Sequence, residues 1–116
     1  MFPHWVEELP DVDISFPGAS GRLIEGPHGQ VVLWTFAEGG SVPPHQHGPQ
    51  LGIVLAGRVR LTVDGVERDW TSGQMFELAD AQVHSAVIDP GTFVIEIFQE
   101  SDRHRARQIP SAVPAE

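Results

Sequence analysis

Three of the six histidines stand at spacings that suit a metal ion. His45 and His47 are separated by one residue. On an extended backbone, residues i and i+2 point to the same face, so both imidazoles can reach one ion. Gln50 follows three residues later, and His84 arrives on a later apolar segment. Imidazole nitrogen is a favoured ligand for first-row transition metals. The other chemistry open to this chain is limited, because it contains no Cys, Lys, Tyr or Asn. That removes cysteine nucleophiles, disulfides, thiolate metal sites, lysine Schiff bases and tyrosine acids. Reactivity must come from His, Asp, Glu, Ser, Thr, Arg, Gln, the backbone or a bound ion. His4, His28 and His104 lie outside the spacing and are expected to be exposed and solvated.

The elements that must hold these residues read as short strands. Gly and Pro supply 12 and 10 of 116 residues, which suits many turns. No stretch reads as a helix. Val31–Phe36 is β-branched and aromatic, and Leu51–Leu55 is apolar. Val59, Leu61 and Val63 alternate with Arg58, Arg60 and Thr62, as in a half-buried strand. Asp64-Gly65 is a tight-turn pair, with Val66–Trp70 returning as a hairpin arm. Met75–Leu78, His84–Ile88 and Phe93–Phe98 complete the series. Regular short strands predict an all-β sandwich or barrel. Residues 1–116 read as one domain, with a barrel over about 22–100, an N-terminal arm over 1–21 and a tail over 103–116. The arm could add edge strands or cross to another subunit. From Arg107 onward the tail is expected to fray.

Strand parity extends the candidate list. Val94, Glu96 and Phe98 share one face of their strand, and Phe93, Ile95 and Ile97 share the other. Glu96 between apolar neighbours either meets solvent or works inside the barrel. Met75 is expected in the pocket, whereas Glu77, Arg58 and Arg60 are expected on the surface. Trp34 and Phe36 share a face and serve either as pocket wall or as core. Arg22 either reaches the pocket mouth, where it can pair with a carboxylate, or lies on the surface.

The histidine spacing resembles that of the cupins. Their first motif, G-x5-H-x-H-x3,4-E-x6-G, is met by Gly39, His45, His47 and Gly57, with Gln50 in place of Glu. The loop before Gln50 is one or two residues shorter. Their second motif, G-x5-P-x-G-x2-H-x3-N, is met by Gly73 and His84, with Ala79, Ala81 and Ile88 replacing the other residues. The resemblance covers about Leu33 to Phe98. It implies a double-stranded β-helix, a jelly-roll barrel of two antiparallel sheets. It also implies a divalent transition metal (Mn, Fe, Ni, Co, Cu or Zn) held by His45, His47, Gln50 and His84. Gln50 in place of Glu makes that ligand set neutral, so the ion keeps its full charge as a Lewis acid.

The run Gln50-Leu-Gly-Ile-Val-Leu-Ala-Gly57 is similar to one in the small pectin-degradation cupins, which convert unsaturated uronates to the linear keto form. Their pocket has an acid, an aromatic and an Arg. Glu96 and Phe98 fall near the first two, while Asp102 stands one step before Arg103, where the Arg is due. The resemblance implies isomerase, tautomerase or lyase chemistry on a small oxygen-rich anion, with Glu96 moving a proton. Arg22, Trp34, Phe36, Met75 and Phe98 are the substrate-contact candidates. A metal-dependent dioxygenase and a non-catalytic small-molecule-binding cupin are the alternatives. Such cupins usually form homodimers, and the chain has more apolar strand surface than one small barrel can hide.

Sixteen acids against seven Arg give a net charge of −9, which disfavours a nucleic-acid partner. No apolar run reaches membrane-spanning length, and the N-terminus lacks a basic start and an apolar signal core. A cytoplasmic protein is the expectation.

Overall fold

Successive side chains on a strand face opposite ways, so each strand here offers one row to a core and one to solvent. The computed structural model describes residues 1–108 and shows how those rows meet. Nine strands form: β1 (Ala19–Gly26), β2 (Gly29–Phe36), β3 (Gly40–His45), β4 (Gln50–Ala56), β5 (Arg58–Val63), β6 (Val66–Thr71), β7 (Met75–Leu78), β8 (His84–Ile88) and β9 (Thr92–Phe98). They pair antiparallel in two sheets, ordered β1-β2-β9-β4-β7 and β3-β8-β5-β6. The all-β, two-sheet architecture matches the sequence expectation.

The inward rows build one core between the sheets. Val32, Trp34 and Phe36 of β2 face Val59 and Leu61 of β5 and Ile88 of β8, all buried. Two glycines make room for rings on the inner face. A Cβ at Gly21 would come within 2.7 Å of the Trp34 ring, and one at Gly52 would overlap the Phe76 ring. Such contacts are impossible without movement, so both rings depend on the missing side chains.

Two strands go beyond the expected seven. β1 carries Gly, Ser, Arg and Glu among its eight residues, which blurs its apolar alternation. β3 holds Pro43 and Pro44 and only one apolar side chain besides them, Val42. Proline is tolerated there because β3 is the edge of its sheet.

The N-terminal arm folds onto its own barrel. A short 3-10 turn, His4–Glu8, forms where no helix was expected. Val6 and Val12 are buried. Isolated bridges join Asp11 to Arg22 and Val12 to Ala106. Arg107, expected to fray, instead pairs with Asp11 and donates to the carbonyls of Val12 and Ile14. The rest of the expected frayed tail, from 109 on, lies outside the described residues. Among the described residues, no helix is long and apolar enough to cross a membrane.

Candidate metal centre

β3 and β8 pair so that His45 lies opposite His84, with an irregularity in register between Val42 and His45. Bulges of this kind re-aim a side chain. His47 follows in the connection to β4, and Gln50 opens β4 as a buried residue. The backbone N–H of Ala81 donates to the His47 carbonyl at 2.8 Å, tying the β7–β8 turn to the histidine loop. Ala81 has φ +59°, the left-handed conformation that explains the glycine usual at this motif position.

One ring nitrogen from each of His45, His47 and His84 lies within 4.8 Å of the other two. Their other contacts decide which nitrogens are free. His45 Nδ1 faces the Pro43 carbonyl at 2.9 Å, His47 Nδ1 that of Gly48 at 2.8 Å, and His84 Nδ1 that of Gln82 at 2.9 Å. A carbonyl only accepts, so each Nδ1 carries a proton, and in the neutral ring Nε2 is the nitrogen with the free lone pair. Burial, the largest influence, lowers the pKa of both His47 and His84, and neighbouring imidazoles add to this. A divalent transition metal requires Nε2 lone pairs, which this Nδ1 pattern leaves available in the neutral rings, so the residues present fit that ion.

The cluster opens into a cavity of about 290 Å³ between the sheets. Its walls are largely apolar, with Trp34, Phe36 and Phe98 among them, and its polar lining includes the three imidazoles, Gln50 and Glu96. Glu96 is held by two other lining residues. Its Oε1 accepts from Trp34 Nε1 at 2.7 Å, and its Oε2 accepts from Gln50 Nε2. Burial raises the Glu96 pKa to about 7, outweighing those hydrogen bonds and the charge of Arg103, which pull it down.

Two of the expected substrate contacts do not reach this cavity. Arg22 lies between inward Gly21 and Leu23 on β1, so it points outward. There it donates to the Leu9 carbonyl at 3.2 Å and pairs with Glu7 at 3.3 Å, fastening the arm. Met75 is 57% exposed, because the inward positions of β7 are Phe76 and Leu78.

Two residues that the spacing did not single out do line it. Arg103 enters with a buried Nε that has no hydrogen-bond partner among the described residues. His104, expected in solvent, sets its ring edge-on against Trp34 and Phe98 at 5.5 and 5.1 Å. Burial, its main influence, lowers the His104 pKa to about 4. Buried Gln30 holds this segment as a second strand would. Its Nε2 donates to the His104 carbonyl and its Oε1 accepts from the His104 N–H, both at 2.8 Å. The segment lies past the end of β9, so strand parity carries no information about it. Only the family's Arg, due one step earlier at Asp102, hinted at a role there.

A profile of the cupin domain matches residues 32–98, more than half of the chain. The chain belongs to the cupin family. Among solved structures, this cupin is similar to KdgF from Halomonas sp., with 28% identity and a TM-score of 0.70. That match covers 79% of this chain and 88% of the other. An RmlC-like cupin from Shewanella frigidimarina shares the fold at 24% identity and a TM-score of 0.71, over 83% of this chain and 88% of that one. A deletion mutant of Bacillus subtilis oxalate decarboxylase shares it at 14% identity and a TM-score of 0.72, over 90% of this chain but 31% of that one. Among curated proteins, none matches the cupin's sequence significantly.

Proposed function

We propose that this cupin is a metal-dependent enzyme that isomerises or tautomerises a small anionic, oxygen-rich molecule, such as an unsaturated sugar acid. The observation that carries the reading is the meeting of three imidazoles with the Glu96 carboxyl group in one apolar cavity. His45, His47 and His84, with the amide oxygen of Gln50, would hold a divalent transition metal. When bound, that ion supplies a Lewis acid for a carbonyl or enol oxygen. Glu96 accepts a proton from the substrate and returns it to a neighbouring atom, which suits a group titrating near neutrality. The Arg103 guanidinium meets the carboxylate of the substrate. Trp34, Phe36 and Phe98 form the apolar wall that keeps water from the reacting atoms. The likeness to KdgF and the Gln50–Gly57 run favour a uronate-like substrate.

The test is turnover of unsaturated uronates followed by ultraviolet absorbance, under strict exclusion of oxygen. Anaerobic turnover is expected, and it separates this chemistry from a dioxygenase. His84→Ala and Glu96→Gln should each lower kcat/KM by at least about 100-fold. Full activity in both variants would refute the reading. We further propose a cytoplasmic homodimer, joined through the outer face of the five-stranded sheet.

A further inference from the structure

β2, β9 and β4 lie side by side, and Trp34, Glu96 and Gln50 form a row across their inner face. Glu96 is in register with Val32 on one side and Gly52 on the other. Trp34 and Gln50 are therefore its diagonal neighbours, within reach of long side chains. Both carboxylate oxygens are engaged, one by Trp34 Nε1 and one by Gln50 Nε2.

The donor inventory fixes the polarity of this row. Indole N–H only donates, and both Glu96 oxygens act as acceptors, one from Trp34 Nε1 and one from Gln50 Nε2. Gln50 thus turns its NH2 group toward Glu96, which leaves its amide oxygen free to ligate a cation. A glutamine without such a partner could present either end of its amide to the cavity, and its NH2 end cannot bind a cation.

We propose that Trp34 and Glu96 are positioning residues for Gln50, holding its amide so that the oxygen and not the nitrogen is offered beside the three imidazoles. This rests on the metal reading above. It also gives a physical reason for Gln at a position where the family motif has Glu. A glutamate at 50 would face the Glu96 carboxylate, and like charges at hydrogen-bond distance resist joint ionisation. Glutamine keeps the ligand set neutral and leaves the negative charge one residue behind it.

The test is Co(II) affinity of the metal-free protein, measured by competition with a chromophoric chelator. In the Glu96→Gln variant the new amide must turn its NH2 toward one of two donors. A loss of about tenfold in affinity is expected, as for other groups that orient a metal ligand. The same substitution made on Gln50→Ala should change affinity by less than about twofold, because there is no amide left to orient. Trp34→Phe, which keeps a ring and removes the N–H, should also weaken Co(II) binding only when Gln50 is present. Equal losses with and without Gln50 would mean a long-range charge effect and would overturn the proposal. Wild-type protein that binds no Co(II) would overturn this proposal and the metal reading together.

A second measurement needs no variant to fold. In wild-type metal-free protein, one side-chain amide proton of Gln50 should be protected from solvent exchange in NMR spectra. Exchange of both protons at the rate of an exposed glutamine would likewise overturn the assignment.

Discussion

Burial shifts the pKa values of His104 and Glu96 in opposite directions, so the two residues respond to pH in opposite ways. Burial depresses the His104 pKa from 6.5 to about 4. Between these values the unfolded chain binds more protons, so this residue's contribution to stability rises with pH and is lost as pH falls below 6.5. Burial raises the Glu96 pKa from 4.5 to about 7. In that window the folded chain binds more protons, so its contribution falls as pH rises. The two slopes oppose each other between about pH 4.5 and 6.5. Replacing His104 by Phe should remove the His104 part alone. Denaturant unfolding of metal-free protein at pH 4.5 and 6.5 should then show the variant gaining less stability with pH than the wild type does. Equal changes would place His104 in solvent after all. Most of the proposed metal set was legible residue by residue, because His45, His47 and His84 occupy motif positions. The polarity of the Gln50 amide was not, since it depends on Glu96 and Trp34 from two other strands.

At the scale of elements, alternation identified seven strands and the inward side of most of them. It also indicates the side of Met75: if Phe76 and Leu78 face inward, Met75 cannot. Arg22 was harder, because β1 has too few apolar residues to declare its parity. The segment over 103–107 was invisible to periodicity, since the Gln30 side chain and a single isolated bridge to the N-terminal arm hold it rather than a full strand pairing. Gln30 bonds both backbone groups of His104 and also donates to Glu25 at 3.2 Å. Gln30→Leu would keep the bulk and strand two backbone groups, each worth about 1–3 kcal/mol when buried and unsatisfied. A loss of about 2–4 kcal/mol in unfolding free energy is expected. A loss below about 0.5 kcal/mol, the size of an ordinary surface change, would show that the segment docks by other means.

Over the whole molecule, the two sheets present unlike outer faces. On the four-stranded sheet, Arg58 pairs with Asp69 and Asp89, and Arg60 with Asp69 and Glu67. On the five-stranded sheet, one outward row runs Ile24, Val31, Ile97, Leu51 and the next runs Leu33, Ile95, Ile53, Met75. Ile24 and Ile97 are 43% and 39% exposed. Phe2 packs on Phe93 at one end of this face. A stable dimer removes about 800 Å² from each partner, a scale that a five-stranded face can supply. Light scattering should give twice the chain mass, and Ile97→Glu should halve it while leaving Co(II) affinity within about twofold. A wild-type monomer at micromolar concentration would refute the arrangement.

The partners of the three imidazoles bear on how this barrel can change over time. Each Nδ1 is held by a main-chain carbonyl, at Pro43, Gly48 and Gln82. Main-chain carbonyls persist when side chains are exchanged. Drift in the wall residues can therefore reshape the cavity for a new ligand while the tautomers of the donors stay as they are. Innovation in specificity is confined to side chains, and the inheritance of the candidate metal donors is entrusted to the backbone.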